Sequence, residues 1–252
     1  MRRVANIRTA FWQGGALWLV DALAAPDRAQ STEVHAHHAI QLVFKLGGWF
    51  ELSPPDAAPV PGDVVAVAPD ARHLFRSEGL TAILFIEPES RAGRAVQRRL
   101  FGDTEIVAAP MPSRAVLDRL RACQSEPSHL EDIGRALIDE LAAGEAADVA
   151  DPRIVAVVSW AARRIDGTVA LAEAAQEVGL SPGRLRHLFV EQTGLPFRTY
   201  LLWLRLNLAV ARVVAGASLT ESAHDAGFSD SAHFSRTFKR MFGVQPAALR
   251  LM

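Results

Sequence analysis

Ala223-His-Asp-Ala-Gly227-Phe228-Ser229-Asp-Ser-Ala-His-Phe234-Ser-Arg236-Thr-Phe238-Lys239-Arg-Met-Phe242-Gly243-Val-Gln-Pro246 decides the fold. It reads as the end of a short helix, a turn entered through Gly227, and a second helix whose Phe234, Phe238 and Phe242 fall on one face. An earlier stretch repeats the pattern. Leu171-Ala-Glu-Ala-Ala-Gln-Glu-Val-Gly179-Leu-Ser181, then Leu185, Phe189, Gly194 and Pro196, parallels Leu219 to Ser229, then Phe234, Phe238, Gly243 and Pro246. The offset is 48 residues up to the serine, 49 beyond it and 50 at the proline. Each copy is a helix-turn-helix, and two aligned copies are much harder to obtain by chance than one.

The spacing has physical reasons. Ala175 and Ala223 are small enough to let paired helices cross closely, and Gly179 and Gly227 accept a left-handed turn. Ser181 and Ser229 are placed to cap the second helix of each unit. With Leu185, Leu188 and Phe189 inward in one unit and Phe234, Phe238 and Phe242 in the other, the opposite faces are left to solvent. They present Gly183, Arg184, Arg186 and His187, then Ser231, Ala232, His233, Ser235 and Arg236. An arginine on such a face grips guanine through two hydrogen bonds, and His or Ser reads base edges. Arg184, Arg186, His187, Ser231, His233, Ser235 and Arg236 are therefore base-reading candidates. Arg198, Lys239 and Arg240 suit phosphates, which position without specifying. The plainer alternative is a set of solvated faces on an all-helical domain. Between the units, Phe197–Val214 reads as one helix with Tyr200, Leu201, Leu204, Leu208 and Val213 as its apolar stripe. Its length of ~27 Å suits two recognition helices about one DNA turn, ~34 Å, apart.

Residues 152–250, about 40% of the chain, resemble the DNA-binding domain of the AraC/XylS transcription regulators. The resemblance implies a seven-helix domain with Arg236 and its exposed neighbours facing double-stranded DNA. It also implies an activator working with RNA polymerase, a homodimer, and no enzymatic activity. One departure is Pro182-Gly183 at the start of the first recognition helix, where many members carry larger side chains; base reading there falls to Arg184, Arg186 and His187.

Charge divides at the same place. Residues 152–252 carry 12 Lys+Arg and 7 Asp+Glu, a net +5, whereas residues 1–151 carry −6. A basic module attached to an acidic one fits a nucleic-acid partner for the former. At 50% hydrophobic and 22% charged, the chain is neither disordered nor collagen-like. The lone Cys123 excludes an internal disulfide and suits a reducing cytoplasm. No run approaches the ~20 apolar residues of a membrane span, and Arg8 interrupts what would be a signal-peptide core.

Before about residue 110 the texture is that of a β protein. Ala16–Leu23, Ala39–Leu46, Trp49–Leu52, Val64–Ala68 and Leu80–Ile86 read as strands, divided by Ser53-Pro54-Pro55, Pro61-Gly62-Asp63 and Pro69-Asp70. Such spacing predicts a small antiparallel sandwich or barrel. From Ser113 onward the period becomes helical: Leu117 and Leu120, then Leu130, Ile133, Leu137 and Leu141. Ser113 and Ser128 stand as N-caps and Gly144 as a C-cap, with a linker near 144–151.

This half resembles a cupin-like ligand-binding domain through His35-Ala-His37-His38-Ala-Ile-Gln41 and through Pro61-Gly62-Asp63 followed by Pro69 and His73. By that resemblance the sheet barrel holds a small effector, and Ser113–Gln124 with Ser128–Gly144 supply dimer helices. Their stripe equally suits packing on their own barrel. The expected fold is thus a two-domain α+β chain: 1–147, a cupin-like β-barrel with a following helical pair, and 148–252, an all-α domain with two helix-turn-helix units.

Residues two apart on a strand share a face, so His35 and His37 point to one target, with His73 arriving from later in the chain. Imidazoles bind transition metals, making a divalent ion a candidate cofactor; metal cupins usually place Glu where this chain has Gln41. The alternative is a polar pocket wall without metal. His38 points away and is expected at the surface. Trp18, Phe44, Trp49, Phe75 and Phe85 are candidates for an apolar effector pocket, or simply core. The second functional reading is a cupin metalloprotein or enzyme whose helical tail is an interaction domain. No Ser/His/Asp set, phosphate loop or CxxC pair supports catalysis.

Overall fold

A computed structural model describes residues 5–12, 14–22, 30–124, 129–144 and 151–247. By close Cα packing the chain falls into two units, 1–147 together with 238–252, and 148–237. The expected domain border at 147/148 and the Ser128 cap lie outside the described residues.

The first unit is built on one antiparallel sheet of β1 (Ala5–Trp12), β2 (Gly15–Ala22), β3 (Gln30–Ser31), β4 (Ile40–Ser53), β5 (Val64–Val67), β6 (Leu74–Ile86) and β7 (Ile106–Ala108). The strand order is β1-β2-β6-β4-β5-β7, with β3 beside β6. Two-residue alternation sorts its side chains. Leu17 and Leu19, Ile40, Leu42 and Phe44, and Ala82, Leu84 and Ile86 form one apolar face. Trp18 and Phe85 take the other, ring to ring at 5.3 Å.

The two expected strands Ala39–Leu46 and Trp49–Leu52 are a single one, β4. Gly47-Gly48 shifts the pairing register after Lys45 instead of reversing the chain. Gly48 (φ +111°) lies opposite Gly79 (φ +80°), and a Cβ on Gly79 would stand 2.5 Å from the Gly47 carbonyl oxygen. Both positions need the left-handed freedom and the missing Cβ.

Sequence reading passed over β1, β3, β7 and helix α1 (Arg91–Leu100). In α1 only Gly93, Ala95 and Val96 are buried, and four arginines hide the period; the Ser90 side chain caps it, accepting from Gly93 N at 2.9 Å. Helices α2 (Arg114–Ala122) and α3 (Leu130–Ala142) follow, with Ser113 accepting from Val116 N at 3.4 Å and Gly144 left-handed just past α3. Val116, Leu117 and Leu120 of α2 and Leu130, Ile133, Leu137 and Leu141 of α3 join the apolar face of the sheet. The stripe that suited two roles is spent on the protein's own core.

The second unit begins at α4 (Pro152–Ala162), where Asp151 accepts from Arg153 N at 2.9 Å and proline takes the first turn. Then come α5 (Leu171–Glu177), α6 (Pro182–Thr193), α7 (Phe197–Val214), α8 (Leu219–Asp225) and α9 (Ser231–Phe242), whose first seven residues belong to this unit. Six helices are present among the described residues of 151–247, against the seven implied by resemblance. Leu185, Leu188 and Phe189 pack with Trp160, Tyr200 and Leu201 in one core. Ala175 and Ala223 are fully buried, and Gly179 (φ +65°) and Gly227 (φ +73°) are left-handed, as close helix crossing requires.

Candidate nucleic-acid interface and histidine cluster

In the second unit, Ser181 caps α6 by accepting from Arg184 N at 3.3 Å. This fixes the helix start so that Gly183, Arg184, Arg186 and His187 are exposed while Leu185 is buried. At α9 the cap differs from expectation. Asp230, not Ser229, accepts from His233 N, at 2.6 Å, while the Ser229 hydroxyl lies 3.3 Å from the Asp230 carboxylate and 3.2 Å from His233 Nδ1. A carboxylate one residue later reaches the third backbone N–H better and adds its charge to the helix N-terminus. That bond is also the main reason the Asp230 carboxyl is held below its ordinary range. Arg236 is exposed, and Ser231, His233 and Ser235 are half-buried.

A groove of about 640 Å³ runs across this unit. Arg186 from α6, Arg198 and Arg205 from α7 and His233 from α9 line it, above an apolar floor that includes Leu171, Phe197 and Leu201. The structure therefore brings one base-reading candidate from each helix-turn-helix copy, Arg186 and His233, to the same depression. Arg205 was missed by sequence reading, although its position seven residues after Arg198 puts both on one face of α7. Its guanidinium donates to the Gly167 carbonyl at 3.3 Å, and Gly227 has no Cβ to crowd it. Lys239 has an acid for a neighbour: its ammonium lies 2.7 Å from the Glu33 carboxylate in a solvent-exposed ion pair. Arg240 is exposed.

In the first unit His35, His37 and His73 come together, their ligand nitrogens within 4.8 Å of one another. His35 and His73 form an isolated antiparallel bridge, which sets their rings 4.1 Å apart; the His37 ring stands 5.9 Å from the first and 5.2 Å from the second. All three are buried. Desolvation depresses their proton affinity, His35 to about 4 and His73 to about 2, helped in each case by neighbouring imidazoles. His37 is lowered by burial as well. Phe85 and Phe242 flank His37 at 5.3 and 6.1 Å, and Phe242 also packs on Trp18 at 5.2 Å.

His38 is a correction. It is 4% exposed, not a surface residue, because Glu89 supplies a buried carboxylate 2.9 Å from its Nε2. Burial opposes its charge, but Asp70 and Glu89 outweigh that and raise it to about 9. Beside it Glu87 is pushed up from 4.5 to about 8, first by burial and then by the charge of Glu89. Both carboxylates follow β6, where sequence reading saw only the strand's end.

The five aromatic pocket candidates do not share a site. Trp18 and Phe85 lie beside the histidines, Phe44 lies in the opposite core under α2 and α3, Phe75 packs near Phe50 at 6.4 Å, and Trp49 is half-buried. The alternation of β4 decides this, since Gln41 and Phe44 differ by an odd number of residues.

The family described as a helix-turn-helix domain matches residues 174–252. The transcriptional activator RhrA of Rhizobium meliloti (strain 1021) is 31% identical over 88 residues, covering 34% of this chain and 28% of that protein. The HTH-type transcriptional activator RhaS of Escherichia coli (strain SE11) is 35% identical over 101 residues, 39% of this chain and 36% of its own. The match thus spans about a third of the length of these relatives. The crystal structure of unsaturated fatty acid bound wild-type ToxT from Vibrio cholerae strain SCE256 shares the fold at a TM-score of 0.58 and 15% identity, over 95% of this chain and 96% of that one. Among the described residues no helix is long and apolar enough to cross a membrane.

Proposed function

We propose that this chain, which carries an AraC-type helix-turn-helix domain at residues 174–252, is a sequence-specific DNA-binding transcription activator controlled by an effector in its N-terminal unit. The observation that carries the reading is the groove in which Arg186, Arg198, Arg205 and His233 meet. Guanidinium groups over an apolar floor suit a phosphate backbone, and the exposed Arg184 and His187 of α6 and Arg236 of α9 suit base edges. The α7 helix, 18 residues or ~27 Å long, holds the two units at a separation that suits successive major grooves.

The N-terminal unit is the cupin-like sensor in this reading, for a small molecule or a metal ion. An effector acts only if it binds one arrangement of the protein more tightly than another. RNA polymerase is the partner through which activation proceeds. A homodimer belongs to the proposal; with the apolar stripe of α2 and α3 buried on their own sheet, contact between copies would use other surfaces.

The test is selection of genomic fragments by the purified full chain, with binding followed against salt. A common site about two turns long, with affinity falling steeply as salt rises, is the expected result. Recovery of no shared sequence, with or without added effector candidates, would remove the regulator reading.

A further inference from the structure

The histidine cluster holds lone pairs without protons to share. Each ring donates its Nδ1–H to a backbone carbonyl two residues away: His35 to Glu33 at 2.9 Å, His37 to Ala39 at 3.0 Å and His73 to Ala71 at 2.9 Å. An imidazole that gives its Nδ1–H to a carbonyl turns its Nε2 lone pair outward in the neutral form. His73 Nε2 is buried with no hydrogen-bond partner, in a residue that is 0% exposed. His37 Nε2 makes a 2.8 Å hydrogen-bond contact with the side-chain oxygen of Gln41, whose amide nitrogen has no hydrogen-bond partner. Turning that amide end for end would change the atom that His37 meets and leave His73 as it is.

A cation coordinated by the ring nitrogens takes up the lone pair for which His73 Nε2 has no donor. Fixing Nδ1–H on a backbone carbonyl is the usual outer-shell device that aims Nε2 at a metal. The Gln41 oxygen, 2.8 Å from His37 Nε2, is a fourth donor atom beside the rings. Tetrahedral ligands at metal–ligand bonds of ~2.0–2.2 Å stand roughly 3.4 Å apart, so ligand nitrogens now within 4.8 Å of one another close on the ion by side-chain rotation. The walls are tight: Phe85 and Phe242 flank His37, and a Cβ on Gly243 would stand 2.8 Å from His35 Nδ1.

We propose that Nε2 of His35, His37 and His73, with the side-chain oxygen of Gln41, binds one divalent transition-metal ion of the zinc class. Imidazole donors select this class over magnesium or calcium. The proposal names the effector class for the regulator reading and in that respect rests on it; its test uses no DNA, so the two fail separately.

The full chain, stripped with chelator and dialysed, is titrated with cobalt(II), following the visible d–d absorption, and then back-titrated with zinc. One metal per chain is expected, with His73→Ala and His35→Ala each weakening binding by ~100-fold or more and Gln41→Glu strengthening it ~10-fold by adding a charge. Absence of a cobalt band together with no zinc retained on dialysis overturns the site. Undiminished stoichiometric binding in folded His73→Ala overturns it equally. Should the histidine variants fail to fold, Gln41→Glu decides, because an unchanged affinity there removes the four-ligand arrangement.

Discussion

Arg236 is exposed on α9, whereas Lys239, three residues on, is engaged by Glu33. Arg236 and the groove residue Arg198 differ in what their removal should do. Arg236→Ala is expected to cost ~1–3 kcal/mol of DNA affinity and to relax preference at one base. Arg198→Ala, in the groove, should weaken all sequences alike and reduce the salt slope by about one. Competition binding on a set of single-base variants separates the two, and an unchanged base preference after the Arg236 change would sink its assignment. A different residue governs pH. The Glu87 carboxyl is raised from 4.5 to about 8 by burial and by Glu89, so the folded state holds that proton more tightly than the unfolded state does. Its contribution to stability is full below about pH 4.5 and is lost as pH rises toward 8. His38, raised from 6.5 to about 9, adds a loss of the same sign at higher pH. Glu87→Gln should accordingly flatten the urea midpoint between about pH 4.5 and 6.5, before the histidine contributes; parallel curves for the two proteins would contradict the buried-acid account. Neither Glu87 nor the burial of His38 was legible in the sequence, because a buried ion pair leaves no periodic trace. His35 and His37 were legible together, since two-residue spacing on an extended segment is itself a trace, whereas His73 joins them only through the resemblance to a cupin-like domain.

At the scale of elements, helix ends were read more reliably than sheet breaks. Ser113 and Ser181 cap as their position before a helical period required. Ser229 does not, because Asp230 beside it is a stronger acceptor for the same backbone N–H. Replacing Asp230 with Ala should cost ~1 kcal/mol, within the 0.5–2 range of lost caps, and Ser229→Ala clearly less. Thermal unfolding of the two variants measures this, and the reverse order would restore the serine as cap. In the sheet, Gly47-Gly48 has the composition of a turn but serves as an irregularity inside a 14-residue strand, its partner Gly79 being far away in sequence. Pairing across such a distance cannot be read from a local window. The α1 helix escaped notice for the opposite reason, its arginine-rich outer face obscuring a narrow buried stripe.

At the scale of the whole molecule, the repeat at 48–50 residues was the strongest signal, and it gave the helix-turn-helix pair before any geometry was known. What it left out was the groove, because Arg205 lies on α7 between the copies and outside the repeat. The central claim is that both units read DNA together, with α7 as the spacer. The most direct measurement is a base-by-base substitution scan of a selected site, recording the full chain's affinity for each variant. Two blocks of sensitive positions, centred about one turn or ~10 base pairs apart, are predicted, with Arg186→Ala altering one block and Arg236→Ala the other. A single block, altered by only one of these substitutions, would contradict the account.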